Sequence, residues 1–205
     1  MIFQLTFATM KRLAIFVSGS GTNMERIGRH FNRHPEIQLA LVVCSNPKAV
    51  ALQRAENLGV EAVVIDKHRL RESGNLLKLL HEKQIDWLIL AGFLWLIPNE
   101  LVHAFPNRIL NIHPALLPAY GGKGMYGEKV HQAVIQNREQ QSGITIHYVN
   151  NNYDEGDIVF QQSLTLAPDE TPESLTQRIH QLEHKHYPEV IERLVLEGDK
   201  GLKSS

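Results

Sequence analysis

The chain predicts an α/β fold: a doubly wound, mostly parallel twisted sheet with antiparallel strands in its C-terminal third. Three observations carry this. Short apolar runs alternate with segments of helical periodicity through the first half of the 205 residues. Those runs are almost wholly apolar, as strands covered by helices on both faces must be. After His113 the pattern changes to a glycine-rich loop, a helix and then two strands flanking a polar turn.

Taken in order, residues 13–17 read as a buried strand that ends in Ser18-Gly19-Ser20-Gly21-Thr22-Asn23, and a helix follows to about Arg33. Residues 37–44 form a second strand and 49–58 a helix stopped by Gly59. A short strand at 62–65, a helix at 71–83 and a buried strand at 87–90 continue the alternation. Arg108-Ile109-Leu110 begins the next strand, a loop spans 117–127, and a helix covers 128–137. Strands at 143–149 and 158–166 flank the turn at Asp154. Thr171-Pro172-Glu173 is a helix start: a capping hydroxyl, proline at the first position and an acid in the first turn. That helix runs to about His186, where Pro188 kinks or restarts it before 189–196.

The length suits one domain with a full hydrophobic core, placed at residues 10–198. Residues 1–9 read as an N-terminal extension, with Met10 a plausible natural start; the alternative is an edge strand at 3–7. Residues 199–205 read as a flexible tail. A formal net charge of −1 offers no electrostatic footprint for nucleic acid, and no apolar run approaches a membrane span. The single cysteine, Cys44, excludes an intramolecular disulfide and lies in an apolar run, as a small buried hydrophobe would. A reducing, cytoplasmic setting fits all of this, with the chain a monomer or homodimer.

Chemistry concentrates at two strand ends. In Leu110-Asn111-Ile112-His113-Pro114 the two polar residues are two apart, so a strand points both to one side. Pro114 cannot donate to a sheet ladder, so the strand stops there. A carboxamide donor and a titratable base then stand together at a carboxyl-terminal strand end, where open α/β sheets bind ligands. On these residues alone, a turn-capping Asn111 and a satisfied core His113 are an equal reading. The other end is Gly19-Ser20-Gly21 ahead of a helix, where backbone N–H groups can approach an anion. It fails as a dinucleotide fingerprint, because Met24 stands at the third glycine position and no acid ends the second strand. It also lacks the Gly-Lys-Ser/Thr of a nucleoside-triphosphate loop. A single phosphomonoester fits better.

The motif Asn111-x-His113-Pro114-x-Leu116-Leu117-Pro118, with Tyr153-Asp154-x-Gly156 downstream, resembles the folate-dependent formyltransferases over nearly the whole chain. The resemblance implies a Rossmann-like variant whose N-terminal half holds a ribonucleotide phosphate and whose C-terminal half holds a folate. It implies direct formyl transfer from 10-formyltetrahydrofolate, a cosubstrate, to the amine of glycinamide ribonucleotide in purine biosynthesis, without a metal. Asn111, His113 and Asp154 take the catalytic roles, Asp154 keeping His113 cationic and ordering a water. Gly21, Thr22, Asn23 and Glu183 match the ribonucleotide site. Arg71, Leu94, Trp95, Leu96, Ile97, Asn111, Asn150 and Asp154 match the folate site, with ordinary core packing the alternative for residues 94–97. The loop at 119–128 is longer and richer in glycine than the family pattern, which leaves the assignment of His131 open.

Three competitors remain. His180-Gln181-Leu182-Glu183-His184 spells an inverted zinc-protease pattern, although such short patterns arise easily among 11 histidines. Methionyl-tRNA formyltransferase and formyl-tetrahydrofolate hydrolase share the motif but carry a further domain, for which this length leaves no room. A non-catalytic nucleotide-binding module would explain the glycine loop and leave Asn111, His113 and Asp154 together unaccounted for.

Overall fold

The computed structural model describes residues 10–198. The extension at 1–9, its alternative edge strand and the tail at 199–205 lie outside the described residues. Seven strands form one sheet in the order β3-β2-β1-β4-β5-β6-β7. They are β1 (Lys11–Val17), β2 (Ile37–Cys44), β3 (Ala62–Val64), β4 (Trp87–Leu90), β5 (Ile109–His113), β6 (Gln141–Tyr148) and β7 (Ile158–Thr165). The first five pair in parallel, while β5–β6 and β6–β7 are antiparallel. Chain order reverses between β1 and β4, which opens a crevice beyond their carboxyl ends.

Helices cover both faces. Against one lie α1 (Thr22–His30), α2 (Val50–Asn57), α6 (Glu128–Gln136) and α7 (Pro172–Glu197), with Leu13, Ile15, Ile89 and Leu110 in their shared core. Against the other lie α3 (Lys67–Arg71), α4 (Gly74–Glu82) and α5 (Asn99–Ala104), packed on Ala14, Phe16, Leu88 and Ile109. Consecutive strand residues therefore feed opposite cores, as the continuous apolar runs require. Cys44 is buried, its thiol near the Asn46 carbonyl, and burial pushes that thiol up.

Two expectations need correction, and one helix was not expected. The helix expected at 71–83 is the shorter α4 (Gly74–Glu82); the Asp66 side chain accepts the Arg69 N–H at 2.8 Å and starts a separate short helix, α3, before it. Glu72 then leaves helical geometry, and Ser73 is buried beside Glu100 of α5. The short helix α5, opened by Pro98 with Glu100 in its first turn, was not anticipated. Of the two readings of Pro188, a kink or a restart, the restart is excluded, because α7 runs unbroken to Glu197. Proline removes one backbone bond there, but Tyr187, Pro188, Val190, Ile191 and Val195 are all buried, and packing of that face outweighs the loss.

The start of α7 is as expected: the Thr171 side chain accepts the Ser174 N–H at 3.2 Å, and the Ser174 hydroxyl accepts the Thr171 N–H at 3.0 Å. At mid-helix the fully buried Tyr187 shares its hydroxyl hydrogen between the carbonyls of Leu90, at 2.9 Å, and Leu110, at 3.2 Å. This joins α7 to the two strands immediately before Ala91 and Asn111. No helix among the described residues is long and apolar enough to cross a membrane.

Candidate active site

A cavity of about 420 Å³ occupies the crevice at the carboxyl ends of β1, β4 and β5. That volume is in the range of small-molecule sites. One wall is the β1–α1 turn. Gly21 caps α1 with φ of 76°, in the left-handed region. A Cβ there would lie 2.7 Å from the Ala51 Cβ and 2.9 Å from its Cα, so the turn strongly favours glycine. Thr22 and Asn23 line the same wall, and the Asn23 amide donates to Glu183 Oε2 at 2.8 Å. Glu183 is 6% exposed, and burial pushes its carboxyl up to about 7 although the Asn23 hydrogen bond works the other way.

The opposite wall is the β5–β6 pair. Asn111 stands directly across from His147. The His147 Nδ1–H donates to the Tyr148 carbonyl at 2.8 Å. The Asn111 amide nitrogen donates to Asp154 Oδ1 at 3.3 Å and lies 3.1 Å from His147 Nε2, which is itself 3.6 Å from Asp154 Oδ1. His113 is 4% exposed; its Nε2 donates to the Tyr120 carbonyl at 2.8 Å, and its Nδ1 lies 3.5 Å from Asp154 Oδ2. The Gly122 N–H also reaches Asp154 Oδ2, at 2.9 Å. Thr145, across from His113, accepts the Leu117 N–H and donates to the Ala115 carbonyl, which holds the turn after Pro114.

Asp154 has φ of 57°, a left-handed conformation uncommon outside glycine. Gly156 explains how the turn folds: a Cβ there would fall 1.8 Å from the Tyr148 carbonyl oxygen. Burial pushes the Asp154 carboxyl up, but the His147 ring, the His113 charge and the Gly122 N–H outweigh it and hold the carboxyl below its usual range. For His113 the balance differs from expectation. Burial lowers its pKa, and the Asp154 charge and the Tyr120 carbonyl offset only part of that. The resting imidazole is therefore neutral at pH 7 rather than cationic, because a charge so far from water costs more than one carboxylate at 3.5 Å returns.

Leu94, Trp95, Leu96 and Ile97 line the cavity beyond β4. The Ser18 hydroxyl accepts the Leu94 N–H at 3.1 Å and so fixes this segment to the end of β1. Leu94 is 44% and Leu96 39% exposed, so these two are not core, while Ile97 is buried. Arg71, at the end of α3, and Asn150, whose side chain accepts the Asn152 N–H at 2.9 Å, are not among the lining residues. Asn152 and Tyr153 line the cavity instead. His180, Glu183 and His184 do not converge: Glu183 turns to Asn23, and the two imidazoles stack with centroids 6.0 Å apart. Among the described residues, no three His, Cys, Asp or Glu side chains are grouped to hold a metal ion.

His147 and the Tyr120 carbonyl were missed from sequence. His147 had a signal: a polar residue in an apolar strand, placed on the Asn111 face once the strands pair. The Tyr120 carbonyl had none, since only the folded loop brings it to His113.

A formyl transferase family model matches residues 11–191. The chain belongs to the formyl transferase family. It is 42% identical over 187 residues to phosphoribosylglycinamide formyltransferase, chloroplastic, of Arabidopsis thaliana, covering 88% of this chain and 64% of that protein. It is 33% identical over 200 residues to phosphoribosylglycinamide formyltransferase of Bacillus subtilis, covering 95% and 100%. The chain thus spans less than two thirds of the Arabidopsis relative and all of the Bacillus one. The solved glycinamide ribonucleotide transformylase 1 of Geobacillus kaustophilus aligns with a TM-score of 0.82 at 37% identity, over 90% of this chain and 98% of that one. Asn111, His113 and Asp154 line one cavity with Gly21, Thr22, Asn23 and Glu183.

Proposed function

We propose that this chain transfers the formyl group of 10-formyltetrahydrofolate to the amine of glycinamide ribonucleotide, a step of purine biosynthesis. The carrying observation is that an amide donor, an imidazole and a carboxylate, tied to one another by Asn111, His113 and Asp154, share one cavity with the neutral glycine turn at Gly21. A phosphomonoester at that turn meets backbone N–H groups and the N-terminus of α1. The folate ring rests against residues 94–97 and the Asn152–Asp154 turn. Contact with Arg71 falls to the part of the folate that leaves the cavity. The substrates are small molecules in a cytoplasmic setting.

The chemistry follows from the geometry. Attack of the amine on the formyl carbon makes a tetrahedral intermediate with a developing oxyanion, and Asn111 turns one amide hydrogen from its long Asp154 contact to that oxygen. The neutral His113, with its free electron pair on Nδ1, accepts the proton the amine sheds, directly or through water. Asp154 stabilises the imidazolium as it forms. The same proton then passes to N10 of the departing folate, so the base of the first step is the acid of the second. No covalent enzyme intermediate is needed.

The test mixes the protein with 10-formyltetrahydrofolate and glycinamide ribonucleotide and follows deformylated folate. Amine-dependent release is expected. Release without the amine would make the chain a hydrolase, and no release with retained binding of either ligand would make it a binding module.

A further inference from the structure

His131, on α6, is 2% exposed and lines the cavity, yet neither ring nitrogen has a hydrogen-bond partner among the described residues. Its Nδ1 is wholly buried. Buried polar groups are nearly always paired, so an unpaired imidazole in a ligand cavity marks a partner that arrives with the ligand. Its position narrows which part of the ligand that is. His131 is close enough to feel the charges of both His113, at the reacting end, and His180, one helical turn before Glu183 on α7. It lines the same cavity as His113, where the amine is to react, and as Glu183, which the Asn23 amide holds. A ribonucleotide with its phosphate at Gly21 and its amine at His113 must pass its ribose along this stretch.

We propose that His131 is a hydrogen-bonding contact to the ribose hydroxyls of the ribonucleotide, and thereby a specificity-determining residue on the amine-substrate side. The inference rests on the function proposed above. Burial, with the charges of His180 and His113 acting in the same direction, lowers the imidazole to about 4, so it is neutral at physiological pH. A neutral imidazole offers one donor and one acceptor, which is the complement of a hydroxyl. It is a poor partner for a phosphate and too weak a base for the amine. The three histidines are not grouped as metal ligands among the described residues.

The experiment measures KM for glycinamide ribonucleotide and for 10-formyltetrahydrofolate in wild type, His131→Asn and His131→Leu. It repeats the first with ribonucleotides lacking the 2′- or 3′-hydroxyl. His131→Leu should raise the ribonucleotide KM about tenfold, the size of one lost hydrogen bond, and leave the folate KM unchanged. His131→Asn, which keeps a donor and an acceptor, should recover part of the loss. Removing the contacted hydroxyl should weaken binding to wild type and not further weaken binding to His131→Leu. An unchanged ribonucleotide KM in His131→Leu, or an equal rise for both substrates, overturns the proposal. So does a wild type indifferent to loss of either hydroxyl, a result that needs no variant to fold. A wild type that never uses the ribonucleotide fails the proposed function first, and this inference with it.

Discussion

At the reacting end of the cavity the polar side chains are tied to one another: Asn111 to His147 and Asp154, His113 to the Tyr120 carbonyl, Asp154 to the Gly122 N–H. At the end proposed for the ribonucleotide, the Asn23 side-chain oxygen Oδ1 and His131 Nδ1 are buried without partners among the described residues, and Glu183 is a buried carboxyl with one donor. In the first region the polar groups hold one another in place before substrate arrives, and only the long Asn111–Asp154 contact has to be exchanged for the oxyanion of the proposed reaction. The second is left short of hydrogen bonds that a ribose phosphate can supply. Rate should therefore depend on the first region, while affinity and pH-dependent stability depend on the second.

The largest expected break is at the reacting end. Asn111→Ala and His113→Ala should each lower kcat by about two to three orders of magnitude, the usual cost of one preorganised donor or proton-transfer partner. Because the two act through one intermediate, the double variant should lose far less than the product of the singles. Multiplying losses would show two independent groups.

The next break is a stability effect at the other end. Glu183 has a folded pKa of about 7, above its ordinary 4.5. The folded state therefore holds the extra proton between these values, and this contribution is present below about pH 4.5 and lost as pH rises through 7. Glu183→Gln removes the titration, so its stability relative to wild type should improve between pH 5 and 8 by roughly 2–3 kcal/mol. Urea unfolding at the two pH values measures it, and a constant difference would place Glu183 in water. Smaller again is Gly21→Ala. The added Cβ meets Ala51 and the backbone is left-handed, so stability should fall by about 1–2 kcal/mol. The ribonucleotide KM should rise with the folate Kd unchanged; equal weakening of both would make the turn a purely structural element.

Much of the fold was legible because strand signals are local. The runs at 37–44 and 87–90 match β2 and β4, and the capping residues of α7 stand as written. That the helix continues through Pro188 without a restart was not legible, because local propensity says nothing of the buried face that carries it. The split at Glu72 turns on Ser73 being drawn under α5, a contact no local pattern shows. The shared side of Asn111 and His113 was readable because they are two apart on one strand. His147 needed the β5–β6 register, and the neutral state of His113 needed its depth. Asp154 was located by its motif, but the sign of its contest with burial lies in the packing.

Asp154 acts on His113 electrostatically, against burial. An NMR titration of His113 in wild type and in Asp154→Asn isolates that effect. Wild type should titrate below the ordinary 6.5 because burial prevails, and Asp154→Asn should titrate lower still because the opposing charge is gone. A His113 pKa that stays the same or rises in Asp154→Asn would contradict the account.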